Sequence, residues 1–192
     1  MKQHGLYGAV PLAHYFLKER VKPGDAVVDA TCGNGQDCQF LAELVGGDGR
    51  VWAFDLQSEA LARTGERLAA AGLQQRVQLV HAGHERMGEF VHAKLQAVIF
   101  NLGYLPAGDK TVATQAATAV AALEQSAQLL ATGGLILIAV YTGHSGGAAE
   151  WEAVQNWAAG LHPHSFNVWQ MRQLNRGGTA PFMVVVERAK EL

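Results

Sequence analysis

The sequence predicts an α/β domain: a seven-stranded, mostly parallel sheet with helices on both faces and an antiparallel hairpin at one edge. Three observations predict it. Short apolar or β-branched runs alternate with segments of helical periodicity along almost all of the 192 residues, the pattern of a parallel sheet covered on both sides. The last two apolar runs have no helical segment between them, which marks a hairpin. No repeat, linker or low-complexity tract interrupts the chain, so residues 1–192 read as one domain.

In chain order, Leu6, Val10, Ala13 and Leu17 share a helical face, with Pro11 in the first turn, where its missing N–H costs little. Lys22 to Asp25 reads as a turn and Ala26 to Ala30 as a buried strand. A helix from Gln36 to Val45 ends at Gly46-Gly47. Val51 to Leu56 is the second strand; Ser58 then caps a helix that stops at Gly72. Val77 to Val80 and Leu95 to Phe100 are the third and fourth strands. An Ala/Thr-rich helix from Thr111 to Leu130 is ended by Gly133-Gly134, followed by a strand from Leu135 to Val140 and a helix from Ala148 to Ala159. Phe166 to Gln170 and Phe182 to Glu187 are the hairpin strands.

Composition narrows the function classes. With 49% hydrophobic and 17% charged residues the chain is an ordinary globular one. A net charge of −2 gives no broad basic footprint, although a small RNA held by a local patch is compatible with it. The longest apolar run, Leu135 to Tyr141, has the length of a strand, so no membrane span is expected. The N-terminal segment lacks a cleavage pattern and the two cysteines, Cys32 and Cys38, suggest no disulfide framework, so the expected location is the cytoplasm. His81 and His84 lie three apart with no second ligand pair at zinc spacing, and no metal is expected.

The stretch Val27 to Asp37, VVDATCGNGQD, carries the first functional signal. Ligands of such sheets sit beyond the carboxyl ends of the strands, where strand order reverses, and the loop Thr31 to Gly35 falls there. A pyrophosphate cofactor wants G-x-G-x-x-G; here Thr31 stands at the first glycine and the third has no counterpart. Asp29 and Asp37 flank the loop and would repel a pyrophosphate. S-adenosylmethionine (SAM) instead brings an ammonium and a sulfonium, which two carboxylates favour. Its own carboxylate can use the N–H groups of Cys32, Gly33, Asn34 and Gly35 at the helix start. Asp37 also fits a simpler reading, as a charge complementing the helix dipole.

Asp55 ends the second strand 20 residues after Gly35, at the spacing of a ribose-binding carboxylate, and Gln57 follows toward the adenine side. His84 and Glu85, after the third strand, fall where an adenine edge would lie, or read as a surface loop. The fourth strand ends in NLGYLP, where Asn101 and Tyr104 take positions that handle a methyl acceptor in class I methyltransferases. The Asn101 carbonyl oxygen can accept an amine N–H and Tyr104 can stack on a base. Carbon methylation by covalent addition would want a cysteine beside these strands, and neither cysteine is there. His144, in the glycine-rich loop after the fifth strand, and Asp109 are candidate bases for an ammonium acceptor. Arg172, Arg176 and Lys110 are candidate phosphate contacts, or scattered surface charge.

DATCGNGQD, AFDLQ, NLGYLPAGDK and YTGHSGG with Glu150 together resemble the YtqB-like class I SAM-dependent methyltransferases. The resemblance runs from about residue 8 to the C-terminus. It implies the Rossmann-like class I methyltransferase fold, a homodimer, SAM as cofactor and an activity of the MnmM type. That activity converts 5-aminomethyl-(2-thio)uridine at the tRNA wobble position, in the anticodon stem-loop, to its 5-methylaminomethyl form. By the same resemblance Asn34, Asp55, Gln57 and His84 contact the cofactor, and Asn101, Tyr104 and His144 lie on the acceptor side. Gln36 departs from the histidine that many relatives carry after GNG. Two rival readings are an rRNA or small-molecule methyltransferase and, from another class, a dinucleotide-binding oxidoreductase or noncatalytic nucleotide module.

Overall fold

A computed structural model describes residues 7–103, 114–143 and 145–190. Its sheet is built from β1 (Ala26–Asp29), β2 (Arg50–Asp55), β3 (Val77–His81), β4 (Leu95–Leu102), β5 (Leu130–Val140), β6 (Phe166–Met171) and β7 (Phe182–Arg188), in the order β3-β2-β1-β4-β5-β7-β6. The first five strands are mutually parallel, while β7 runs antiparallel to both β5 and β6. Strand order therefore reverses between β1 and β4, and that crevice receives the loops after both strands.

Alternation along the strands sends side chains to two cores. Val28, Phe54, Val98, Phe100, Ile136 and Ile138 face one layer; Val27, Val51, Ala53, Ala97, Ile99 and Leu137 face the other. The first layer is completed by α4 (Met87–Phe90), α5 (Ala116–Leu129) and α6 (Gly147–Ala159), through Met87, Leu123 and Val154. The second is completed by α1 (Ala9–Arg20), α2 (Gln36–Val45) and α3 (Ser58–Ala71), through Leu17, Leu41 and Leu68.

Several boundaries differ from the sequence reading; α5, expected from Thr111, begins at Ala116 after the extended Gln115. Ser58 is the first helical residue of α3 and caps nothing: Gln57 is the extended N-cap, and the Ser58 hydroxyl donates to Glu59. Gly133 and Gly134 lie inside β5 instead of ending α5. The helix passes directly into the strand at Leu130, and the glycines sit where the β4–β5 register shifts between Leu95 and Ala97. A Cβ on Gly134 would lie 2.8 Å from the Leu95 carbonyl oxygen, so the close strand approach, not a helix stop, uses this glycine. The short helices Gln74–Arg76, His84–Arg86 and Met87–Phe90 are too brief to leave a period in the sequence.

The C-terminal end of α5 is held by a buried cation. Arg188, at the end of β7, donates Nη1 to the carbonyls of Ala127 (3.2 Å) and Leu130 (2.9 Å) and is 4% exposed. Replacing it with methionine keeps the stem packing but strands these carbonyls. Arg188→Met is expected to cost about 3 kcal/mol in chemical denaturation.

Candidate active site

A cleft of about 1010 Å³ opens at the crevice between β1 and β4. Its wall comes from the β1–α2 loop, the ends of β2 and β4, the loop after β3, and Thr114, Gln115 and Tyr141.

The loop after β1 turns tightly because Gly33 and Gly35 take left-handed φ values of 54° and 73°. Underneath sits Thr64 of α3, fully buried. Its hydroxyl donates to the Gly33 carbonyl (3.2 Å) and accepts from the Cys32 thiol (3.3 Å). Asp55 ties the loop to β2 by accepting the Gly33 N–H at 2.8 Å and the Gln57 N–H at 2.9 Å, one on each oxygen. Each oxygen retains a further lone pair, and Asp55 lines the cleft, a pairing that suits a diol. From α3, Arg63 donates to the Asn34 side-chain oxygen (3.2 Å) and Arg67 to its carbonyl (2.9 Å), fixing the outer rim.

Across the cleft, His84 Nδ1 meets the Ala30 carbonyl at 3.1 Å, so that nitrogen carries the proton. Its Nε2 is buried with no partner among the described residues, an acceptor suited to an amino group. Burial holds the His84 imidazole below its usual range, in the neutral form. Gln125 of α5 positions this loop: its amide donates to the Glu85 carbonyl and its oxygen accepts the Gly88 N–H at 2.6 Å.

The acceptor side is a chain of three side chains. Asp37 Oδ2 accepts from Asn101 Nδ2 at 2.7 Å, and Asp37 Oδ1 lies 2.6 Å from His14 Nε2. Because a carboxylate only accepts, this fixes the Asn101 amide with its NH₂ toward Asp37. The Asn101 carbonyl oxygen is then buried and unpartnered among the described residues. Thr31 seats the backbone, its hydroxyl accepting the Asn101 N–H at 2.8 Å.

Of the residues singled out from sequence, Cys32, Gly33, Asn34, Asp37, Asp55, Gln57, His84, Glu85 and Asn101 line this cleft. Asp29 and Gly35 stand behind its wall. Gly35 is the left-handed N-cap of α2, packed on Thr64. Asp29 is fully buried and accepts the Thr31 N–H at 3.2 Å. Tyr104, Asp109, Lys110 and His144 lie outside the described residues. Arg172 packs its guanidinium 3.5 Å from the Phe182 ring centroid. Thr64, Gln125, His14 and Tyr141 went unread in the sequence. Thr64 interrupts the apolar face formed by Ala60, Leu61 and Leu68, and that polar break was the available signal.

Electrostatically the floor of the site is negative. Burial, then Asp37, then Asp55 push the Asp29 carboxyl well above its usual range. Burial and Asp37 likewise raise the Tyr141 phenol. Because the folded Asp29 holds its proton more tightly than the unfolded chain does, its stability contribution is full below pH 3.8. It is lost as pH rises through the raised folded value. Asp29→Asn keeps an oxygen for the Thr31 N–H without the charge. In melts across this range, the Asp29→Asn protein is expected to outlast the parent increasingly as pH rises; parallel curves would contradict it.

A Gly-turn, a ribose-binding carboxylate, an unpartnered adenine-side acceptor and a carboxylate floor without a phosphate cradle define a class I SAM-dependent methyltransferase. The comparisons with known proteins agree. A family model described as "Putative rRNA methylase" matches residues 51–187. The chain belongs to that family. A chloroplastic tRNA (mnm(5)s(2)U34)-methyltransferase from Arabidopsis thaliana is 38% identical over 186 residues, 92% of this chain and 68% of that protein. A crystal structure described as a "putative rRNA-methylase" from Clostridium thermocellum superposes with a TM-score of 0.93 at 39% identity, covering 96% of this chain and all of the other. A protein described as "a putative methyltransferase" from Streptococcus mutans, solved in complex with SAH, gives 0.87 at 36% identity, covering 96% and 99%.

Proposed function

We propose that the chain, working as one catalytic domain, transfers the methyl group of SAM to the primary amine of 5-aminomethyl-2-thiouridine at the tRNA wobble position. The product is the 5-methylaminomethyl nucleoside. The carrying observation is the Asn101 amide: its NH₂ is committed to Asp37 and its carbonyl oxygen is unpartnered. That oxygen suits an N–H donor and would point the amine lone pair at the methyl carbon. The Arabidopsis relative, named for mnm(5)s(2)U34, supports the same acceptor.

SAM supplies an activated methyl group and a sulfur leaving group. The protein's task is to hold and orient. Asp55 suits the ribose hydroxyls, the Gly33–Gly35 turn the amino-acid end, and His84 with Glu85 the adenine. Gln57, Asn34 and Cys32 line the same half of the cleft. Tyr104 stacking on the base, with His144 or Asp109 as base, completes the reading of the sequence; the geometry behind these roles lies outside the described residues.

Among the described residues no helix is long and apolar enough to cross a membrane. In this proposal the enzyme works in the cytoplasm, without a metal, as a homodimer. Edge strand β6 offers that dimer Val168, Trp169 and Met171, exposed by 38%, 64% and 37%.

The family's description favours the rival, an rRNA acceptor. Binding separates the readings. S-adenosylhomocysteine is expected to raise the melting temperature where NAD does not. Unmethylated tRNA should bind with an affinity that falls steeply with salt. Stabilisation by NAD alone, or the absence of salt-sensitive tRNA affinity, would overturn the proposal.

A further inference from the structure

The rim of the cofactor turn borders a second groove, of about 690 Å³, between α2 and α3. Asn34 and Gln36 line both this groove and the catalytic cleft, so the two meet there. Gln36 also directly precedes Asp37, which holds Asn101, so the meeting point adjoins the acceptor half.

The α3 wall of the groove carries Arg63 and Arg67, exposed and one helical turn apart on one face. Each commits its Nε to Asn34: Arg63 donates to the side-chain oxygen and Arg67 to the carbonyl. The outer nitrogens are left over. Arg67 Nη1 has only a long contact to Gln39 Oε1, at 3.4 Å. Arg63 Nη1 and Nη2 and Arg67 Nη2 have no acceptor among the described residues, and neither guanidinium forms an ion pair there. Holding Asn34 asks for one N–H from each side chain, which a neutral amide could give. Two guanidinium groups, anchored by Nε with their outer donors free, are instead the chemistry of a phosphate seat. Glu66 lines the same groove and offsets one of the two charges. The remaining positive charge matches the single negative charge of one phosphodiester.

We propose that Arg63 and Arg67 seat one backbone phosphate of the tRNA strand beside the wobble nucleotide. The inference rests on the tRNA reading above. Both side chains converge on Asn34, so one phosphate can bridge them. The wobble base enters the cleft toward Asn101, and the strand passes Gln36 into the groove. Such a contact reads no sequence; it sets the register, so that the wobble nucleoside and not a neighbour meets the methyl group. It also suits a chain of net charge −2, in which a local pair of cations serves in place of a broad basic face.

The test measures binding of an anticodon stem-loop carrying 5-aminomethyl-2-thiouridine over a range of salt, with S-adenosylhomocysteine saturating so that the cofactor turn is occupied in every protein. The parent is compared with the double mutants Arg63→Gln/Arg67→Gln and Arg63→Lys/Arg67→Lys. Glutamine removes the charges; lysine keeps them but loses the Nε donors that hold Asn34. The glutamine protein is expected to bind about 5-fold more weakly at about 0.1 M salt, with the slope of log K against log salt shallower by about 0.7. The lysine protein should keep the parent's slope. Neutral methylphosphonates, placed one at a time at the linkages flanking the wobble nucleotide, then locate the contact. One of them should weaken the parent and leave the glutamine protein unaffected, because both changes remove the same interaction. A parental slope in the glutamine protein, or methylphosphonate losses that add to its own at every linkage, would overturn the seat and leave wobble methylation standing. A lysine protein whose slope falls as far as the glutamine protein's would reduce the arginines to holding Asn34 and overturn it too. A parent that binds the stem-loop with no salt dependence would overturn both the seat and the tRNA reading beneath it.

Discussion

Asn101→Ala is expected to abolish most turnover, by about 100-fold in kcat, while S-adenosylhomocysteine binds as before. The reason lies in what Asn101 touches. Its side chain bonds Asp37, and its backbone N–H bonds Thr31, the two ends of the turn between β1 and α2. Truncation removes the oxygen that orients the amine and leaves Asp37 with one fewer donor, but the Gly33–Asp55 contact and the His84–Ala30 contact remain. A loss of that size in kcat without a change in SAH affinity is the signature of a positioning contact made at the acceptor. Equal losses in both would show Asn101 to be part of the cofactor seat.

The second large effect concerns the cofactor turn itself. Gly35 holds φ +73°, and a Cβ there would fall 2.6 Å from Thr64 Oγ1 and 2.9 Å from Thr64 Cβ. Gly35→Ala therefore meets the left-handed penalty of about 1–2 kcal/mol and must also displace Thr64. Thr64 is fully buried and holds both Cys32 and the Gly33 carbonyl, so moving it opens the turn. The combined loss is about 3 kcal/mol, a fall of roughly 10 °C in melting temperature, with SAH affinity falling as well. A double mutant with Thr64→Ala should lose less than the sum of the single losses, since the two changes share one space. An alanine at 35 with unchanged melting and SAH affinity would contradict the packing.

The α2 bounds were legible in the sequence because a glycine marks each end, at Gly35 and Gly46. The hairpin was legible because nothing helical separates Phe166 from Phe182. Gly133-Gly134 misled: a glycine pair after a helix reads as a stop, and only the contact with Leu95 on another strand makes it part of β5. The cofactor half of the site announced itself through spacing, with Asp55 following Gly35 at the ribose interval. The acceptor half did so less, since the Asn101–Asp37–His14 chain joins residues 64 and 23 positions apart. No local pattern encodes that. His14, beside Ala13 on the buried side of α1, looked like one more residue of an amphipathic helix. Its contact with Asp37 on neighbouring α2 ties it to the site.

Methyl transfer to a wobble amine is read out by mass spectrometry of nucleosides. Purified protein and SAM are incubated with tRNA from a strain lacking the final wobble methylation, and the tRNA is digested. 5-Aminomethyl-2-thiouridine is expected to gain one methyl group, giving the 5-methylaminomethyl form. Unchanged nucleoside, from protein that still binds S-adenosylhomocysteine, would contradict it and return the acceptor to rRNA or a small molecule.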